Sequence, residues 1–263
     1  GICTGDVNND GFTDFYIGGA AGQSGSIFLQ LSNGTFEEKP LPVSESSFED
    51  MGSVFFDLDK DGDLDLYVAS GSNEFPAGSE NYRDRIYINN GMGHFSRARG
   101  MLSEMTTPTS AVAAIDFDRD GDLDLFVGGR ISMERYPEAP RSFLLENRNH
   151  RLEDITAAQA PALLNYGMIT DAEWLDVNRD GWMDLVVCGE WLPISLFMND
   201  KGKLVLANEV AGLNHTIGWW NRLAKVDIDS DGDLDLVAGN LGWNSLYKTS
   251  WERPFSLYVN DFD

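Results

Sequence analysis

The stretch Asp57-Leu58-Asp59-Lys60-Asp61-Gly62-Asp63-Leu64-Asp65 places five carboxylates around one glycine. The same pattern, D-x-[DN]-x-D-G-x-x-D, begins again at Asp6, Asp116, Asp176 and Asp227. Side-chain oxygens at positions one, three, five and nine, with the backbone carbonyl at position seven, form the oxygen-rich set that a hard cation such as Ca²⁺ requires. Glycine at position six permits the sharp turn that brings these oxygens together. The recurrence of glycine at one offset predicts cation-binding loops rather than a solvated acidic surface.

The pattern predicts about five bound Ca²⁺ ions, one in each loop. Position seven is included because its backbone carbonyl is the predicted donor. The predicted ligands are Asp6, Asn8, Asp10, Phe12 and Asp14; Asp57, Asp59, Asp61, Asp63 and Asp65; Asp116, Asp118, Asp120, Asp122 and Asp124; Asp176, Asn178, Asp180, Trp182 and Asp184; and Asp227, Asp229, Asp231, Asp233 and Asp235.

An EF-hand would instead place a bidentate glutamate at position twelve, between two helices. Position twelve is apolar in every copy, for example at Val68 and Val127. The flanking segments Val54-Phe55-Phe56 and Leu64 to Val68 are rich in β-branched and aromatic residues, which is typical of strands. Each copy is therefore predicted to be a loop that joins two strands.

The spacing of the copies predicts the fold. They begin 51, 59, 60 and 51 residues apart, and Asp261-Phe262-Asp263 reads as the start of a sixth copy. This spacing is typical of a four-stranded propeller blade with loop insertions. We therefore expect an all-β chain, a β-propeller of about five four-stranded blades within a larger propeller, with both ends internal to a longer protein. The predicted blades of this single β-propeller region are residues 1–48, 49–108, 109–168, 169–217 and 218–263.

Apolar runs after the loops predict the third strand of each blade. In the fifth unit, residues 255–259 are either the fourth strand or the first strand of a sixth blade. The predicted third strands are residues 26–31, 85–88, 142–145, 194–198 and 245–247.

The net charge of −24 is concentrated in the loops. They hold about half of the 43 acidic residues, and the other acidic residues roughly balance the 19 lysines and arginines. Bound cations would neutralise much of this charge, and nucleic acid is a poor partner for such a surface. No apolar run is long enough to predict membrane insertion. Cys3 and Cys188 are predicted to be buried free thiols.

The loop followed by an apolar strand and glycine, as in Phe126-Val127-Gly128-Gly129, resembles the FG-GAP and VCBS-type repeats, whose integrin α-subunit members form seven-bladed propellers. The phrases Tyr136 to Ser142 and Gly218 to Asn221 more narrowly resemble bacterial exported repeat proteins that often carry an ASPIC and UnbV domain. This chain has neither that domain nor the Gly-Ala-Pro tripeptide of integrin repeats. The resemblance implies a calcium-binding module of an exported protein, at the bacterial cell surface, in the periplasm or outside the cell.

In such a blade the cation loops lie at one end of the sheet, and the connections from the second to the third strand lie at the other end. The longest insertions, residues 70–85 and 130–141, fall at this other end. Connections mounted on a rigid sheet commonly carry binding groups. The residues predicted to bind a protein or glycan partner are Arg130, Tyr136, Trp191, Trp219 and Trp220.

The leading prediction is a non-catalytic, calcium-stabilised propeller module that binds such a partner. Asp171 with Glu173, or with Glu190, is a candidate acid–base pair, which would indicate a lyase-like, polysaccharide-active enzyme. A structural spacer is the third alternative. Unpaired sheet edges further predict contact with remaining blades of the same chain or self-association.

Overall fold

The computed structural model describes residues 1–242, 244–246, 248–250 and 252–257. These residues form an all-β structure, as predicted, with one short α-helix at Thr156–Gln159. The predicted segments 245–247, 255–259 and 261–263 include positions outside the described residues. Short 3-10 helices lie at Val43–Glu45, Glu80–Tyr82, Pro161–Leu163 and Leu213–His215.

The strands form successive antiparallel sheets in which each strand pairs with the next one along the chain. The first sheet contains β1 (Ile2–Gly5), β2 (Asp14–Ile17), β3 (Ser26–Gln30) and β4 (Phe36–Pro40). The second contains β5 (Asp50–Phe56), β6 (Asp65–Ser70), β7 (Arg85–Ile88) and β8 (Ser96–Ala98). The third contains β9 (Thr109–Ile115), β10 (Asp124–Gly129), β11 (Phe143–Asn147) and β12 (Leu152–Asp154).

The fourth sheet contains β13 (Met168–Leu175), β14 (Asp184–Leu192), β15 (Ser195–Asn199) and β16 (Leu204–Leu206). A fifth unit consists of the paired strands β17 (Gly218–Val226) and β18 (Asp235–Asn240). It is joined to β14 by a short pairing in which Glu190 lies opposite Trp219.

Each nine-residue loop connects the first strand of a unit to the second, so the prediction that the loops join strands is confirmed. The last aspartate of each loop begins the second strand and lies opposite the end of the first, as Asp65 does opposite Phe56. We call the end of the sheets that carries these loops the loop face. The other end, reached by the second strand of each unit, is the opposite face.

The hydrophobic core lies between neighbouring sheets. In β6, Leu66 and Val68 pack with the first sheet, whereas Tyr67 and Ala69 pack with the third. The split arises because successive residues of a strand point to opposite faces. All four side chains are fully buried, which explains the continuous apolar run after the loop.

The first strands of all five units surround one cavity of about 220 Å³, so the units share an axis. The outer faces of the first sheet and of the fifth unit are less covered by neighbouring sheets. Ile17 in β2 is 43% exposed and Val237 in β18 is 45% exposed. The matching residues Val68 in β6 and Phe126 in β10 are fully buried against neighbouring sheets.

Candidate metal loops and aromatic surface

The loops are organised by short hydrogen bonds that turn their carboxylates inward. In the second loop, the Gly62 N–H donates to Asp57 Oδ2 at 3.1 Å, and the Asp63 N–H donates to Asp61 Oδ1 at 2.9 Å. Both contacts recur in the other four loops at 2.8–3.1 Å. Gly62 has a φ of 91°, a conformation that glycine adopts without steric cost.

The aspartate at position nine ties each loop to its sheet. Asp65 Oδ2 accepts a hydrogen bond from the Leu58 N–H at 3.1 Å, and Asp65 Oδ1 accepts one from the Asn89 N–H at 2.9 Å. The first contact recurs in all five loops and the second in the first four. Position nine therefore anchors the third strand, in addition to its predicted role as a ligand.

Three loops hold carboxylate oxygens that are buried without a hydrogen-bond partner among the described residues. Burying a charged oxygen without a partner is costly, so these atoms point to an ionic ligand. The unpartnered atoms are Oδ1 of Asp57 and Asp59 in the second loop, of Asp116 in the third and of Asp227 in the fifth. In each of these loops, one oxygen from each of three aspartates lies within 4.8 Å of the others: Asp57, Asp59 and Asp61; Asp116, Asp118 and Asp124; and Asp227, Asp229 and Asp235.

The first and fourth loops differ because they carry asparagine at position three. The Asn8 amide donates to Asp10 Oδ2 at 2.9 Å, and the Asp10 N–H donates to Asp6 Oδ1 at 3.1 Å. Asn178, Asp180 and Asp176 make the same contacts in the fourth loop. The first-position carboxylates of these two loops are thus engaged within the loop.

The third loop has an additional carboxylate that the motif does not predict. Glu146 in β11 brings one oxygen within 4.8 Å of oxygens of Asp118 and Asp120. Glu146 also pairs with Arg148 at 2.6 Å. No spacing rule points to Glu146, because it reaches the loop from another strand.

Burial raises the pKa of the position-nine carboxyls in the first four loops, Asp14, Asp65, Asp124 and Asp184. The pKa of Asp65 rises to about 6 and that of Asp124 to about 8, because desolvation disfavours the charged form more than the backbone donors favour it. A bound cation would favour the ionised form at these positions.

Buried asparagines connect each of the first three loops to the following sheet. The Asn89 amide in the second sheet donates to the Val7 carbonyl of the first loop at 2.7 Å. Asn147 and Asn199 make the equivalent contacts to Leu58 and Phe117 at 2.8 Å. A change in loop conformation therefore acts on the neighbouring sheet.

On the opposite face, Trp191 lies at the centre of an aromatic cluster. Its indole N–H donates to the Tyr136 hydroxyl at 2.7 Å. Its ring centroid lies 5.5 Å from that of Trp219 and 5.7 Å from that of Phe255. Trp191 has a φ of 61° at the irregularity between β14 and β17, which is an uncommon conformation for a tryptophan. We call Tyr136, Trp191 and Trp219 the aromatic surface, and it borders a cavity of about 740 Å³.

Two of the residues predicted to bind a partner have structural contacts. Trp220 packs in the core between the fourth and fifth units, and its indole N–H donates to the Thr216 carbonyl at 2.8 Å. Arg130 forms an ion pair with the buried Glu190. The structure thus brings Tyr136, Trp191 and Trp219 together and places Arg130 beside Glu190, whereas Trp220 is partly buried against the core and lines the same cavity as Trp191 and Trp219.

The carboxylates of the candidate acid–base pair are each paired with a cation. Asp171 lies 3.5 Å from Arg222 and accepts a hydrogen bond from the Leu223 N–H at 2.8 Å. Glu173 lies 3.0 Å from Lys225. Of the predicted buried thiols, Cys188 is buried and Cys3 is partly exposed, and neither forms a disulfide.

The acidic loops and successive antiparallel sheets define a repeat protein, and comparison identifies the family. A model of the FG-GAP-like repeat matches residues 6–68, 71–127 and 176–238, which is well over half of the chain. The chain therefore belongs to the FG-GAP-like repeat family. The predicted FG-GAP resemblance is confirmed at this level, whereas the VCBS and the ASPIC and UnbV features stay predictions.

Among curated proteins, cartilage acidic protein 1 of Xenopus tropicalis is 27% identical over 92% of this chain and 37% of its own length. Integrin alpha-V of Gallus gallus is 33% identical over 48% of this chain and 14% of its own length. The matched region thus covers little more than a third of the length of the first relative and a smaller share of the second. Among solved structures, the Vibrio cholerae biofilm matrix protein Bap1 aligns with a TM-score of 0.44 and 17% identity, over 90% of this chain and 34% of that protein. No helix among the described residues has the length and apolar character needed to cross a membrane.

Proposed function

We propose that this chain is a calcium-stabilised β-propeller module of an exported or cell-surface protein, and that it binds a protein or glycan partner without catalysis. The shared axis of the five units supports the propeller arrangement. The exposed faces at Ile17 and Val237 support packing against further blades or a second copy. The family relationship and the resemblance to exported repeat proteins support the location.

The buried, unpartnered carboxylate oxygens carry the calcium assignment. Hard oxygen donors at positions one, three and five suit Ca²⁺, which accepts six to eight oxygens in flexible geometry. A bound ion would supply positive charge at the loop, while the chain's own hydrogen bonds orient the donors. The second, third and fifth loops fit best, and the motif extends the proposal to about five ions.

The pairing of Trp191 with Tyr136 and Trp219 beside the large cavity carries the binding proposal. Aromatic rings offer a large rigid contact area, and a few such residues commonly dominate the affinity of an interface. The Arg130–Glu190 ion pair lies next to this surface and lines a smaller cavity with Tyr136. The cations beside Asp171, Glu173 and Glu190 give these carboxylates a structural role, which supports binding over catalysis.

We expect Trp191→Ala or Trp219→Ala to weaken partner binding by about 1–3 kcal/mol, because each removes part of the aromatic contact. A glycan array and a pull-down on the whole protein identify the ligand, and titration of that ligand measures the loss. Trp182→Ala is the matched control, because Trp182 lies on the loop face and stacks with Arg119. Unchanged binding with a lowered melting midpoint would assign Trp191 to packing. Turnover of a polysaccharide that Glu190→Gln abolishes would establish the enzyme alternative.

In the presence of a chelator, we expect the protein to lose stability as the pH rises from about 5 to about 9. The folded-state pKa values of Asp65, about 6, and Asp124, about 8, lie above the ordinary value of an unfolded chain. Such groups contribute stability that is fully present below the unfolded pKa and is lost as the pH rises through the folded pKa. Calcium should offset this loss, because it favours the ionised carboxylates.

Thermal melting with and without calcium at about pH 5.5 and about pH 8.5 measures the effect, and the shift caused by calcium should be larger at the higher pH. Asp124→Asn should reduce this difference. Asp84 serves as the comparison for a carboxyl that calcium does not contact. Burial raises its pKa to about 6 as well, but it lies outside the loops. A calcium shift that is equal at both pH values would contradict the expectation.

A further inference from the structure

Side chains at position four of the first four loops contact the next loop, a feature that the ligand pattern does not explain. The Asn9 amide donates to Asp63 Oδ1 at 2.9 Å, and Lys60 forms an ion pair with Asp122. Arg179 forms an ion pair with Asp233. Arg119 donates to the Gly181 carbonyl and lies over the Trp182 ring, 4.6 Å from its centroid. All four junctions between consecutive loops are thus bridged from position four to position six or seven.

The backbone conformation at position four is unusual for the residues that make these contacts. Position four has a positive φ in every loop, for example 62° at Lys60 and 59° at Arg179. Asparagine and glycine tolerate this conformation better than lysine or arginine. A favourable contact made by the long cationic side chain offsets the strain at Lys60, Arg119 and Arg179.

In the second, third and fifth loops, position seven is an aspartate whose carboxylate the predicted ligand set does not use. Its predicted donor is the backbone carbonyl, so the carboxylates of Asp122 and Asp233 add negative charge without supplying a ligand. Lys60 and Arg179 neutralise this extra charge from the preceding loop. The Lys60 Nζ also lies 3.7 Å from the place that a Cβ would take at Gly121, so the ammonium lies beside the turn of the third loop.

We propose that Lys60 and Arg179 are internal counter-ions of the third and fifth loops. Each stabilises the metal-free form of the following loop by reducing carboxylate repulsion. Each also opposes cation binding there, because the ammonium or guanidinium repels a divalent ion. The position-four side chains thereby lower calcium affinity and link neighbouring loops. This inference rests on the proposed calcium binding.

Replacing Lys60 by Met should affect the metal-free and the calcium-bound forms differently. We expect the melting midpoint to fall in the presence of a chelator and to stay nearly unchanged in calcium. The third loop should bind Ca²⁺ about fivefold more tightly at low salt, which is the size expected for one charge acting on a divalent ion at about 7 Å in water. The gain should disappear in about 1 M salt, where charges are screened within a few ångströms.

Calcium titration by calorimetry and thermal melting of the whole chain test the proposal. Lys60→Arg should behave like the parent protein, and Arg179→Met should reproduce the Lys60→Met effect at the fifth loop. Lys39→Met is the matched control, because Lys39 pairs with Glu37 on β4 and has no contact with a loop in the described structure. In an Asp116→Ala background, which removes a third-loop ligand, Lys60→Met should no longer alter the titration.

The outcomes separate this inference from the calcium proposal. If the parent protein neither binds calcium nor changes its melting midpoint with calcium, the proposed calcium function itself fails. If the parent responds but Lys60→Met shifts the midpoint equally in chelator and in calcium, the contact is an ordinary surface ion pair and the counter-ion role is overturned. A weaker calcium affinity in Lys60→Met also overturns that role, because it would show that Lys60 orients the loop for the metal.

Discussion

Removal of calcium is expected to lower the melting midpoint of this protein by about 20 °C. Each ion that binds only the folded state adds about 2.7 kcal/mol at a concentration 100-fold above its dissociation constant. The three loops with unpartnered buried oxygens would together add about 8 kcal/mol on this basis. A change of 1 kcal/mol corresponds to about 2–4 °C for a chain of this size. Loss of calcium should destabilise the neighbouring sheets as well as the loops, because Asn89, Asn147 and Asn199 connect loops to neighbouring sheets.

Melting with chelator and after calcium is restored measures this shift, and magnesium serves as the control ion. Magnesium demands a smaller and more regular oxygen shell, so it should restore less stability. Asp116→Ala should remove about one bound ion and about a third of the shift, because Asp116 supplies a first-position oxygen in one of the three loops. A melting midpoint that chelation leaves unchanged would refute the stabilising role of calcium.

Arg85→Met is expected to destabilise the calcium-bound protein by about 3–5 kcal/mol. Arg85 is almost fully buried and forms an ion pair with Asp50, which is also buried. Asp50 in turn accepts hydrogen bonds from the Tyr16 hydroxyl at 2.7 Å and the Gly19 N–H at 2.8 Å in the first sheet. Removing the guanidinium leaves an uncompensated charge at the contact between the first two sheets. The melting midpoint should fall by about 10 °C or more.

Urea unfolding in calcium measures the free energy of unfolding of this variant. Arg135→Met is the matched control, because Arg135 is exposed and pairs with Glu138 at the surface, where an ion pair contributes about 0–1 kcal/mol. Adding Asp50→Asn to Arg85→Met should recover part of the loss, because the isolated charge is then removed. A loss below about 1 kcal/mol for Arg85→Met would show that water reaches Asp50 and that the pair does not hold the sheets together.

The loops were predictable because the contacts that shape them are local. Asp57 and Gly62, like Asp61 and Asp63, are close neighbours in the chain, so the residue pattern specifies their hydrogen bonds. The apolar run Leu66 to Ala69 likewise predicts a strand buried on both faces. The spacing between the copies then predicts repeated sheets. Each sheet contains one copy of the motif, so consecutive copies are separated by the number of residues that form one sheet.

The sequence by itself thus determined the all-β class and the position of each loop between two strands, and it predicts the oxygens that would bind a cation. Only the tertiary structure decided which distant groups meet: Glu146 at the third loop, Lys60 beside Asp122, Arg85 beside Asp50, and Tyr136 beside Trp191. Adjacent tryptophans illustrate the difference, because alternation along β17 does not indicate which of them packs into the core. Trp219 and Trp220 both line the cavity, and Trp220 also packs against the core. That choice depends on the packing of the fourth sheet against the fifth unit. The physical reason is that backbone turns depend on neighbouring residues, whereas burial and ion pairing depend on how separate sheets pack.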